Sequence, residues 1–98
     1  MDQLRPFRDR IDDLDERILA LLGERFDVCR EVARFKKANG IPMMQPERND
    51  EVRAHFVELG ERHRFPDDFA LALFDVVVDW SCRLEDSIIG SRDAETLP

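Results

Sequence analysis

The sequence predicts an all-α chain of three helices with a long N-terminal helix, paired with a second copy of itself in a helical homodimer. Three observations carry that expectation. Apolar residues recur at alternating three- and four-residue steps through residues 4–35. Turn-forming residues interrupt the helical patterns near positions 40–46 and 60–66. The first helix is also too long for the globule that 98 residues can build.

The first helix is expected over residues 4–39, with Pro6 tolerated because it falls in the first turn. Its apolar series is Leu4, Phe7, Ile11, Leu14, Ile18, Leu21, Val28, Val32 and Phe35, regular once position 25 is included. Asn39 and Gly40 stop it, and Pro42 reinforces the stop. The second helix is expected to begin at Pro46 or Glu47, to carry Val52, Phe56 and Leu59 on one face, and to end near position 60–63. The third follows Pro66, Asp67 and Asp68 and runs through Phe69, Leu73, Phe74, Val77, Trp80, Leu84 and Ile88 to Gly90. Val76, Val77 and Val78 are too short a β-branched run to override that period. The helical domain is thus expected over residues 1–90, with 91–98 a flexible tail. A 36-residue helix is about 54 Å long. A compact chain of this size has a radius of gyration of only about 13 Å. A second copy laid alongside would cover what two shorter helices cannot.

Composition narrows the function. A net charge of −7 argues against nucleic-acid binding, which needs a basic footprint. No apolar run is long enough for a membrane span and no leader pattern opens the chain, so a cytoplasmic protein is expected. Cys29 and Cys82 sit in apolar helical patterns and read as reduced core residues; with His55 and His63 they make no metal-ligand spacing. Neither a metal nor another cofactor is expected.

The informative residues are the cations that break the apolar pattern. Position 25 of the series should be apolar and is Arg25. A guanidinium there costs several kcal/mol unless paired; a buried salt bridge or a register-setting contact would explain it as well as a ligand would. Lys36 lies eleven residues on, on nearly the same face and about 16 Å further along the axis. Between two such side chains there is room for a ligand of roughly ten heavy atoms, floored by Cys29 and Val32. Taken alone, Lys36 beside Lys37 would be a solvated lysine. Arg8 is about 25 Å from Arg25 on the same helix. It could reach that pocket only from the partner of an antiparallel dimer. Arg48, in the first turn of the second helix, opposes the helix dipole unless an anion sits nearby. Ser81 and Glu85 share a face of the third helix.

These residues carry a resemblance. The strings Leu4-Arg5-Pro6-Phe7-Arg8-Asp9-Arg10-Ile11, Leu21-Leu22-Gly23-Glu24-Arg25 and Val32-Ala33-Arg34-Phe35-Lys36, followed by Pro46-Glu47-Arg48 and the 81–86 segment, resemble the all-helical (AroQ-class) chorismate mutases over residues 4–90. The resemblance implies that the homodimer is intertwined and antiparallel, with two shared active sites and a small dianionic substrate. It further implies that Arg25 and the partner's Arg8 hold the substrate carboxylates, with Arg48 adding to the cationic surround and Ser81 lining the pocket near a carboxylate. Lys36 would hydrogen-bond the ether oxygen that gains charge as its bond breaks. Glu85 would share that oxygen.

Such residues suffice for an intramolecular [3,3]-sigmatropic shift, which needs no nucleophile, base or metal. It needs the two arms of the substrate held in reacting geometry and fixed positive charge where negative charge develops. An acceleration of about 10⁶, roughly 8 kcal/mol, is within reach of these two effects.

Departures from the usual pattern point to a subgroup. Glu85 stands where many members have Gln, and can donate to the ether oxygen only when protonated. Gln45 and Asn49 stand where acids often meet the C4 hydroxyl. The 40–46 loop and the 82–86 string look similar to 4-amino-4-deoxychorismate mutases of antibiotic pathways, whose substrate carries an ammonium at C4. The expected reaction is therefore conversion of 4-amino-4-deoxychorismate to 4-amino-4-deoxyprephenate. Chorismate to prephenate is the alternative, followed by isochorismate pyruvate lyase and a non-catalytic dimerisation or regulatory module.

Overall fold

A computed structural model, which describes the backbone of residues 2–96 and the side chains of residues 2–90, contains three helices and no strand among the described residues. They are α1 (Arg5–Asn39), α2 (Pro46–Arg62) and α3 (Asp67–Thr96). The all-helical expectation stands, and 76–78 are helical. α3 continues past Gly90 to Thr96, beyond the end expected from the sequence. The flexible tail expected over 91–98 falls on residues whose side chains are outside the described set.

Pro6 lies in the first turn of α1, where its missing N–H leaves no bond unmade. Gly40 ends that helix with φ of 64°, a left-handed geometry that glycine adopts without a Cβ penalty. The Gly40 and Ile41 amides both donate to the Lys36 carbonyl, the latter at 2.9 Å, and close the last turn. Lys36 and Lys37 in that turn complement the helix dipole. Asp67 and Asp68 do the same at the start of α3.

α3 is the hub. It packs on both other helices, whereas α1 and α2 make no mutual contact among the described residues. Its buried face is Ala70, Phe74, Val77 and Ser81, each four or fewer residues from the next. Phe56 of α2 meets Phe74 edge-on, with ring centroids 5.6 Å apart. Gly60 allows the closest approach of α2 to α3: a Cβ there would stand 3.0 Å from the Ala70 Cβ and 3.3 Å from that of Phe65.

The face of α1 that lies on α3 is not the apolar series read from the sequence. It is the neighbouring row of Leu22, Phe26, Cys29, Ala33 and Lys36, with Ala33 fully buried. The series from Leu4 through Leu21 stays bare, with Leu14 49% and Leu21 65% exposed. The chain is accordingly stretched to 65 × 30 × 16 Å, with a radius of gyration of 17.8 Å. That exceeds by far the ~13 Å of a compact chain this long.

Candidate active site

Where α1, the 40–45 loop, α2 and α3 converge they enclose a cavity of about 250 Å³. Seven of the eight residues singled out from the sequence line it: Arg25 and Lys36 from α1, Gln45 from the loop, Arg48 and Asn49 from α2, Ser81 and Glu85 from α3. Cys29 and Val32 lie between Arg25 and Lys36, as the α1 spacing requires. The eighth, Arg8, is elsewhere. It is 61% exposed and paired with Asp2 at 2.7 Å, far down α1 from this cavity.

Two polar clusters mark opposite ends. At one, Arg25 Nη1 donates to Ser81 Oγ at 2.7 Å and approaches Cys29 Sγ at 3.8 Å. Ser81 is buried and donates in turn to the Val77 carbonyl at 2.7 Å. That chain of bonds fixes the guanidinium, which explains how a seam position tolerates a charge. At the other end, Lys36 Nζ donates to Glu85 Oε1 at 2.8 Å and to the Met43 carbonyl at 2.8 Å. Both charged side chains are only 13% exposed, so neither is the solvated residue that its sequence surroundings alone would suggest. An ammonium has three protons. Among the described residues two are engaged here, which leaves one for an acceptor atom of a ligand.

Arg48 sits at the rim, bonded to Glu51 at 3.2 Å with both side chains largely exposed. An exposed pair of this kind contributes at most about 1 kcal/mol, so a ligand carboxylate can replace Glu51 at little cost. Gln45 Nε2 donates to the Pro42 carbonyl at 2.8 Å and braces the loop that carries Met43.

Several residues of the wall were not singled out from the sequence as parts of the site. Val52 was legible, since it follows Arg48 by one helical turn. Val78 and Cys82 needed the rotation of α3 about its own axis, which only its packing on two helices sets. The Met43 carbonyl, a main-chain partner of Lys36, has no sequence signal at all. Cys29 and Cys82 are free thiols and half-buried; Cys29 lies on the pocket floor, and Cys82, read from the sequence as a core residue, lines the cavity as well. Burial, followed by the Glu85 and Asp79 carboxylates, pushes the Cys82 thiol above its ordinary value, against the opposing pull of Lys36.

A cavity with a fixed guanidinium at one end, a shielded ammonium at the other and apolar walls between has the chemistry to bind a small polyanion and to present fixed charge to a reacting oxygen. Three helices around such a cavity suit an enzyme that acts by positioning and electrostatics. Comparison with known proteins makes this specific. The chorismate mutase type II family model matches residues 7–86, and the chain belongs to that family; it is an isomerase. It is 33% identical over 93 residues to a 4-amino-4-deoxychorismate mutase of Streptomyces pristinaespiralis, covering 95% of this chain and 72% of that one. Identity to a protein of the same name from Streptomyces venezuelae is also 33%, over 95 residues, 97% of this chain and 91% of the relative. A chorismate mutase of Methanocaldococcus jannaschii is 27% identical over 85 residues, 87% of this chain and 86% of the relative. No helix among the described residues is long and apolar enough to cross a membrane.

Proposed function

We propose that the chain rearranges 4-amino-4-deoxychorismate to 4-amino-4-deoxyprephenate, in a cavity completed by a second copy of itself. The observation that carries the reading is the shielded Lys36 ammonium, set across the cavity from the Arg25–Ser81 pair. In this reading Arg25 and the partner's Arg8 clamp the two carboxylates, and Arg48 leaves Glu51 to join them. The clamp folds the enolpyruvyl arm over the ring, which removes most of the entropic barrier. Lys36, held by Glu85, then meets the ether oxygen as its C–O bond lengthens. Ser81 holds Arg25 in place and borders a carboxylate. Gln45 and Asn49 face the substituent at C4, where an amide oxygen suits an ammonium as well as it suits a hydroxyl donor.

Support for the second copy comes from α1. Leu4, Phe7, Ile11, Leu14, Ile18 and Leu21 form an uncovered apolar stripe, and covering what is bare would contribute about 1 kcal/mol apiece. An antiparallel partner laid on that stripe would also bring its Arg8 toward Arg25. Chorismate is the second reading, favoured by the name of the Methanocaldococcus relative. The test is to incubate purified protein separately with 4-amino-4-deoxychorismate, chorismate and isochorismate, and to identify the products by mass. Faster turnover of the amino compound is the expected result. Preference for chorismate would reverse the substrate assignment, release of pyruvate would indicate a lyase, and inertness toward all three would leave a non-catalytic module.

A further inference from the structure

Cys29 on α1 and Cys82 on α3 both line the same cavity, and the proposed rearrangement uses neither. Arg25 locates the first of them. Its Nη1 lies 3.8 Å from Cys29 Sγ and 2.7 Å from Ser81 Oγ, so Cys29 sulfur is no further than the sum of those distances from the hydroxyl of the residue preceding Cys82. The two thiols are also close enough for Cys29 to help hold Cys82 in its neutral form. Two sulfur atoms on different helices, both reached from one small cavity, are a substrate for a small oxidant that enters it.

We infer that Cys29 and Cys82 form a modification site, a dithiol that a hydroperoxide converts to an intramolecular disulfide joining α1 to α3 and obstructing the cavity. The Cys29 sulfur attacks the distal peroxide oxygen, the O–O bond breaks, and the alcohol or water formed departs with the thiol proton. Cys29 is left as a sulfenic acid. The Cys82 sulfur then attacks the Cys29 sulfur, the S–S bond forms as the S–O bond breaks, and hydroxide leaves with the Cys82 proton as water. Two thiols have lost two electrons and two protons to one peroxide. The upward push on Cys82 makes it the slower nucleophile, so Cys29 is the thiol oxidised first and the attack by Cys82 sets the rate of the second step.

A disulfide needs its two Cβ atoms about 3.8 Å apart. Both cysteines line the cavity that also holds Arg25 and Lys36, so a bond between them would place two linked sulfur atoms in the wall against which a ligand lies. Formation of the bond stands on the thiols alone; the loss of turnover rests in addition on the function proposed above.

The test treats the intact protein with hydrogen peroxide and reads intact mass and peptide maps without reduction. Loss of two hydrogens, with a cross-link between peptides holding Cys29 and Cys82 of one chain, is expected. Cys82→Ser should instead stop at an oxidised Cys29 that a sulfenic-acid probe labels. Oxidation of the unmodified protein should lower turnover at least tenfold, and dithiothreitol should restore it. Thiols that survive treatment unlinked, or a cross-link between two chains, would overturn the dithiol. A correct cross-link with full turnover would overturn the obstruction, and with it the placement of the reaction in this cavity.

Discussion

In the proposed reaction Lys36 carries the chemistry at the scale of single residues. Lys36→Ala should lower turnover by about 10³, the order seen when one fixed donor to a developing oxyanion is lost. The circular dichroism of the helices should be unchanged, and substantial remaining turnover would remove Lys36 from the assigned role. Glu85→Gln swaps the carboxylate that accepts from Lys36 for an amide whose Nε2 can donate to the ether oxygen. Turnover of the variant should equal or exceed that of the unmodified protein; a loss of tenfold or more would show that the Lys36–Glu85 pairing itself is required. Ser81→Ala strips Arg25 of its acceptor inside the fold. A loss of about 1–2 kcal/mol in substrate binding, seen as a KM raised roughly tenfold or more, should follow. The upward push on Cys82 predicts slow alkylation at neutral pH. The thiolate is the reactive form, so its fraction stays small until the pH exceeds the ordinary thiol value. Rates of iodoacetamide labelling at Cys82 across pH would check this.

Among the elements, the helices were legible because each signal is local. Pro6, Gly40 and Pro46 sit at helix ends for reasons that need no tertiary knowledge. The cavity was legible for a related reason: Arg25, Cys29, Val32 and Lys36 lie on one helix, whose period alone fixes their relative positions. Which face of α1 meets α3 was not legible. Leu22, Phe26 and Ala33 form a second apolar row beside the first, and periodicity cannot rank two adjacent rows. The α2–α3 junction gives the prediction for this scale. Gly60→Ala would place a methyl 3.0 Å from the Ala70 Cβ, and that atom, like the Phe65 Cβ, is tied to backbone and cannot rotate away. The crowding outweighs the better helix propensity of alanine, so the variant should lose about 1 kcal/mol or more in denaturant unfolding. A gain in stability would show that the two helices can part without cost.

For the whole molecule, the expected sharing of sites between subunits has a consequence that mixing can read. Arg8→Ala and Lys36→Ala chains would each be inactive alone. Unfolded together and refolded, half of the pairs would be hybrids with one intact site of two, restoring roughly a quarter of wild-type turnover. No recovery would mean that Arg8 serves the site of its own chain or none. The lengths of the helices hinted at such sharing from the sequence. The bare Leu4–Leu21 stripe and the extents of 65 × 30 × 16 Å are what supports a second copy in that proposal.

In the proposed dimer that stripe also governs how the protein melts. A polypeptide whose longest helix finds so little shelter within its own chain would hand part of its folding to a second-order encounter. Its heat denaturation should therefore shift upward with each tenfold rise in protein concentration, as mass action demands of coupled folding and association. Dilution alone should loosen the N-terminal turns of α1 first, because they lie furthest from α3 and have the least to hold them.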